Sequence, residues 1–166
     1  WVARWHSGQW HRMGDHDFDA RVYCLESYHG DDYAGGGFTE YGGDIMWHLA
    51  RWRNGEWEAA ADGGPECYTC YPSRILALKA HWDGRLWVGG NFDKINGMVT
   101  YNIVAWDEDD GWQSVGQNLG QLQPTERELT CFENTAGSLY FGGDFLTVDG
   151  ENALGLGFTQ SGAYLH

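Results

Sequence analysis

The chain has 166 residues, with ten Lys and Arg against 24 Asp and Glu and a formal net charge of −14. That balance excludes the basic footprint that nucleic acid or an anionic membrane surface requires, and no apolar run is long enough to span a bilayer. Aromatics at 16% and 25 glycines point to β-structure with many tight turns, in a chain long enough for one domain with its own core.

The chain opens on two predicted strands, Trp1–Trp5 and Gln9–Met13, joined by His6-Ser7-Gly8. No Met and no signal-like segment precede them, so a mature or partial product is expected. An acidic loop follows, Asp15-His16-Asp17-Phe18-Asp19. Strand Arg21–Ser27 then turns at His29-Gly30 into a strand ending in glycines, and a loop over Thr39–Asp44 leads to strand Trp47–Trp52. Asn54-Gly55 is a strong hairpin signal, because a two-residue type I′ turn needs positive φ at both positions. The next strands are Arg74–Ala80, Arg85–Gly89, Asn102–Trp106 and Trp112–Val115. The last are Glu128–Glu133, Ser138–Gly142, Ala153–Phe158 and Ala163–Leu165. No stretch reads as a helix.

This order hides a repeat. Leu86-Trp87-Val88-Gly89-Gly90-Asn91-Phe92 returns as Leu139-Tyr140-Phe141-Gly142-Gly143-Asp144-Phe145, and more loosely as Tyr33-Ala34-Gly35-Gly36-Gly37-Phe38. The three Phe positions lie 54 and 53 residues apart. Each copy is followed by an aromatic pair: Trp52 and Trp57, Trp106 and Trp112, Phe158 and Tyr164. The opening hairpin carries the same pair as Trp5 and Trp10. Four antiparallel strands, a to d, in a repeat of about fifty residues read as a β-propeller blade. The glycine pair suits close backbone approach, and the paired aromatics suit the space between blades.

The double glycine, the aromatic after it and the later Trp pair resemble kelch-like β-propeller repeats. The Gly-Gly-Asp-Phe, Ala-Arg-Trp and Gly-x-Trp variant is similar to repeats of secreted bacterial and fungal cell-surface proteins. The resemblance covers nearly the whole chain. It implies an all-β propeller and an extracellular or cell-surface location, and it leaves function open, because one fold carries many sites.

The reading divides the chain into a half blade at 1–14 and blades at 15–60, 61–117 and 118–166. A ring of about four to eight blades must then be completed by other blades of a longer chain or by identical copies. Turns a–b and c–d fall on one face and are short. Loops b–c and d–a fall on the other and are long, which is where binding is expected. That face carries the candidate binding residues Tyr41, Trp47, Tyr68 and Tyr71. Trp47 and Trp82 stand outside the repeat pattern.

Asp15, Asp17 and Asp19 alternate as calcium ligands do, although Ala20 stands where an EF-hand loop needs glycine. Two readings stand there, a solvated acidic loop and a non-EF calcium site, with the Asp107–Asp110 turn a weaker calcium candidate. Cys67 and Cys70 read first as a short disulfide pinning their loop. A half zinc site is the alternative, but no second Cys or His pair is placed to complete it. Cys24 and Cys131 stand 14 residues before their Phe and read as small buried hydrophobes, with Leu78 in that place in the middle repeat. His6, His11 and His16 point different ways along a hairpin, and no nucleophile elbow, zincin or phosphate-loop motif is present.

The first expectation is therefore a non-catalytic propeller module that binds protein or glycan. The alternatives are a propeller hydrolase or oxidase acting on sugars, and the repeating subunit of an extracellular filament or sheath.

Overall fold

A computed structural model describes residues 2–66, 72–115, 128–135, 137–145, 147–148, 151–152 and 155–160. Strands β1 (Val2–His6) and β2 (Gln9–Met13) form a two-stranded hairpin. The first four-stranded sheet follows, from β3 (Val22–Tyr28) and β4 (Asp31–Gly36). Between β4 and the third strand sits a small hairpin, β5 (Glu40–Tyr41) and β6 (Asp44–Ile45). The sheet is completed by β7 (Leu49–Arg53) and β8 (Glu56–Ala59), in the order β3-β4-β7-β8.

The pattern then recurs. After β9 (Pro65–Glu66) come β10 (Arg74–Ala80) and β11 (Leu86–Asn91), the small hairpin β12 (Lys94–Ile95) and β13 (Met98–Val99), then β14 (Ile103–Asp107) and β15 (Gly111–Gln113). The second sheet is β10-β11-β14-β15. The third begins with β16 (Leu129–Thr135) and β17 (Ser138–Gly143), passes the hairpin β18 (Thr147–Val148) and β19 (Glu151–Asn152), and adds β20 (Leu156–Gln160). Pairing is antiparallel throughout. The described residues contain no helix and no closed ring. The predicted strand at 163–165 lies outside them.

The repeat is exact down to single hydrogen bonds. The N–H groups of Gly36, Gly90 and Gly143 donate to the carbonyls of His48, Asn102 and Gly155, each at 3.1 Å. A β-bulge interrupts the first strand of each of the three large sheets, at Val22/Cys24, Ile75/Ala77 and Leu129/Cys131. The bulge corrects one sequence expectation. Cys24 pairs with Gly35, Ala77 with Gly89 and Cys131 with Gly142, so Ala77 rather than Leu78 holds the cysteine place. The β10–β11 turn is longer than its counterpart, which shifts a count made from the Phe.

A second correction concerns the segment predicted as a plain loop at Thr39–Asp44, which builds the β5–β6 hairpin. Its turn, Gly42-Gly43, and that of β12–β13, Asn96-Gly97, both have positive φ at both residues, as a type I′ turn demands. These hairpins tie down the long connections. Phe18 bridges Tyr41, and Pro65 pairs with Ile95 in the same way.

The sheets stack face to face, and the core is the set of junctions between them. Val2, Met13, Phe38 and Trp57 fill the junction of hairpin and first sheet. Tyr33, Leu49, Ile75 and Trp106 fill the next, and Trp87, Ile103, Leu129 and Phe141 the last. Alternate strand residues point to opposite faces, so Tyr33 and Leu49 face forward while Ala34 and Ala50 face back. The two ends of the stack are bare. Tyr140 and Leu156, counterparts of the buried Tyr33 and Leu49, are 37% and 63% exposed. Trp5 and Trp10, counterparts of Trp52 and Trp57, are 58% and 69% exposed.

Candidate functional site

The outer edges of the first and second sheets enclose a cleft of about 640 Å³. Its walls come from the end of β8 (Ala60, Asp62), the β12–β13 hairpin (Ile95, Met98) and the strands and turn of β14–β15 (Trp106, Trp112). That volume falls within the range of about 300–1,000 Å³ usual for small-molecule sites. Asp109 and Asp110 stand exposed on the rim.

The turn between β14 and β15 is built by its own acids. Asp107 accepts the N–H groups of Asp109 and Asp110 at 2.9 and 2.7 Å. Glu108 reaches back to the first sheet, where it pairs with Arg51 and with Arg53 and accepts the Tyr33 hydroxyl at 3.2 Å. Arg51 also meets Glu58 at 2.6 Å, and Arg53 meets Asp31 through Nε at 2.7 Å. Partial burial raises the Glu108 pKa, but the Arg51 and Arg53 charges outweigh it and hold the carboxyl below its usual range. Burial pushes the Tyr33 phenol well up, so it stays a hydroxyl that donates to Glu108. This network ties the β14–β15 turn to the first sheet.

At the corresponding place one junction earlier the packing differs. Tyr41 is buried there, its hydroxyl accepting the His16 N–H at 3.1 Å and its ring 5.0 Å from that of Phe18. The Trp57 indole N–H donates to the Met13 carbonyl at 3.1 Å. Tyr41 therefore leaves the predicted binding face and belongs to the core, because its pairing with Phe18 turns it inward.

Trp47 behaves differently. It is 45% exposed with φ of 46°, in a turn closed by the Leu49 N–H on the Met46 carbonyl at 3.2 Å. Trp47 and His48 both have positive φ, as do Tyr101 and Asn102 one repeat on. Trp47 thus holds a repeat position after all, which sequence reading missed because the turn carries no glycine in either copy. Trp82 is exposed at its turn tip, its ring 4.8 Å from that of His81. Tyr68, Tyr71, Cys67 and Cys70 lie outside the described residues.

Two of the three aspartates predicted for calcium, Asp17 and Asp19, have other partners. Asp19 accepts two backbone N–H groups, from Thr39 and Glu40, and the Thr39 hydroxyl. Burial alone would raise its pKa, and these bonds together lower it. Asp17 pairs with Arg12 at 2.9 Å. Among the described residues no group of three or more His, Cys, Asp or Glu side chains is placed to hold a metal ion. Asp19 instead pins the first long connection to the β5–β6 hairpin.

The thiols also depart from expectation. Cys24 and Cys131 are free, and only Cys24 is partly covered, packed beside Ile75. Burial pushes the Cys24 thiol up to about 12. Cys131 is exposed, and among the described residues no sheet lies over its face.

No protein-family model matches the chain, and no curated protein matches it. The reading of its function therefore rests on its own residues.

Proposed function

We propose that the chain is part of a non-catalytic β-propeller module of an extracellular or cell-surface protein, whose partner is protein or glycan and whose ring is completed by further blades. The observation that carries this is the bare forward face of the third sheet. Cys131, Tyr140 and Leu156 repeat the places of Ala77, Trp87 and Ile103, which the next sheet buries. A face built for a neighbour and lacking one calls for another sheet of the same kind. The opposite end supports the same reading: Leu25, whose counterpart Leu78 is buried, is 51% exposed beside a hollow of about 350 Å³.

Electron microscopy of the protein purified from its source tests this. Closed rings with repeating spokes are expected. Single particles with both terminal faces open to solvent would overturn the reading.

A second reading follows from the unlike ends. One end offers a forward face and the other a backward face, so copies meeting head to tail make a heterologous contact, which gives fibres wherever it does not close. In that case the chain is the repeating subunit of an extracellular filament. The same images separate the two, as fibres rather than rings.

A further inference from the structure

Two of the tight turns carry Asn-Gly: Asn54-Gly55 between β7 and β8, and Asn96-Gly97 between β12 and β13, with positive φ at all four residues. Asparagine before glycine is chemically labile, because glycine has no side chain to shield its nitrogen from the neighbouring amide carbon. The two turns share a backbone and differ at the asparagine side chain. Asn96 donates its Nδ2 to the Asp62 carbonyl at 2.7 Å. Its amide also lies so close to Gly63 that a methyl group there would collide with Oδ1. Asn54 is exposed, and among the described residues no hydrogen bond holds its side chain. The ladder beside it ends at the pair Arg53 and Glu56, which leaves Gly55 outside the pairing, and a methyl on Gly55 would meet no atom within 4 Å.

We propose that Asn54 is a site of spontaneous deamidation from which Asn96 is protected, and that its conversion loosens the contact between the first and second sheets. The Gly55 nitrogen gives up its proton and attacks Asn54 Cγ. The Cγ–Nδ2 bond breaks, ammonia leaves, and a succinimide closes. Water then opens the ring. Cleavage at Cγ gives aspartate, and cleavage at the main-chain carbonyl gives isoaspartate. Nothing is oxidised or reduced, and water is the one co-reactant. The attack requires the turn to swing until the Gly55 nitrogen faces Cγ. Asn54 makes that swing by opening the end of its hairpin, whereas Asn96 must also surrender its bond to Asp62.

The consequence follows from the neighbours. Isoaspartate lengthens the main chain by one methylene, and a two-residue turn that sets the register of its strands cannot take up an added atom without shifting its flanks. The flanking residue is Arg53, whose Nε meets Asp31 at 2.7 Å and whose Nη2 meets Glu108 of the second sheet at 2.9 Å. The proposal goes beyond the binding reading above and does not rest on it.

The test is incubation of the full chain in mildly alkaline heavy-oxygen water, both native and in guanidinium chloride, with both Asn-Gly peptides followed by mass spectrometry. In denaturant the two asparagines should convert at the same rate. In the folded chain Asn54 should convert about twofold to tenfold faster than Asn96, the ratio that one surrendered hydrogen bond gives. Isoaspartate should be in excess, with one solvent oxygen taken up. Aged wild type should melt below fresh protein. Asn54→Gln, whose longer side chain closes its ring far more slowly, should melt the same fresh and aged.

Equal rates at the two sites in the folded chain would overturn the assignment. So would an Asn54 that stays intact while the denatured chain converts. Conversion of Asn54 with no fall in melting temperature would overturn the loosening of the sheet contact.

Discussion

Gly89 lies directly beneath Leu129 of the following sheet, so close that a methyl group on Gly89 would collide with the leucine side chain and come within 3.0 Å of the Phe132 ring. Gly35 lies under Ile75 in the same way, with a methyl there 2.5 Å from its Cγ2. The first glycine of each pair is therefore the contact point between sheets. Gly89→Ala should destabilise by about 1–3 kcal/mol, the usual cost of overpacking a filled core. At Gly142 a methyl would crowd the Cys131 sulfur of its own sheet at 2.9 Å and touch the Gly155 carbonyl at an ordinary 3.6 Å, and the exposed Cys131 side chain can turn away. Gly142→Ala should cost less than Gly89→Ala in urea melts of the chain. Equal costs would mean that the glycines serve strand geometry alone.

His48 sits at positive φ in the place that Asn102 and Gly155 occupy in the later repeats. Its Nδ1 has no partner among the described residues, whereas Asn102 accepts the Phe92 N–H at 3.0 Å. Burial lowers the His48 pKa despite the Gly36 backbone and the Asp19 carboxylate, which favour its charged form. The folded state thus resists a proton that the unfolded chain accepts below about pH 6.5. Stability should fall as pH drops through that value and level off only below the lowered pKa. His48→Asn suits the backbone, offers an acceptor to Phe38, and should flatten this slope while raising the melting temperature at pH 5.5. An unchanged slope would assign the acid sensitivity to other groups.

Glu108 holds two arginines and a buried tyrosine at once. Glu108→Gln keeps an acceptor for Tyr33 and removes only ion pairs that solvent partly screens, so it should cost about 1 kcal/mol or less. Glu108→Ala leaves the Tyr33 hydroxyl without its acceptor and should cost about 1–3 kcal/mol. Because the carboxyl is held below its ordinary value, its contribution is present at neutral pH and disappears as pH falls through the lowered pKa. Melting curves of the wild type and Glu108→Gln should therefore converge at strongly acidic pH and separate above it.

Cys131 and Cys24 hold one repeat position in two settings. Alkylation at pH 8 followed by peptide mapping should label Cys131 within minutes. Cys24, with its thiol pushed up to about 12, should stay largely unmodified over hours, because the thiolate is the reactive form. If further sheets complete a ring, Cys131 in the protein from its source should be protected as well. Fast labelling of Cys131 in that material would argue against a neighbour on this face.

The residues alone determined the repeat, the four-strand unit and the role of the glycine pairs. These follow from local patterns: alternation along a strand, a turn residue at a set distance, an aromatic after a double glycine. The small hairpins were within reach too, since Gly42-Gly43 and Asn96-Gly97 are hairpin turns at a constant distance from the motif Phe. They were overlooked because strands of two residues carry no periodicity. What only the tertiary structure decided is which repeat positions are covered and which are not. Tyr41 looks like a surface aromatic until its bridge to Phe18 turns it inward. Trp57 and Trp112 match in sequence and differ in partner, because the junction around each is filled by residues about forty and fifty positions away. Cleft, bare face and half-buried thiol all depend on how two sheets meet, and contacts of that range leave no mark on the spacing of residues within one strand.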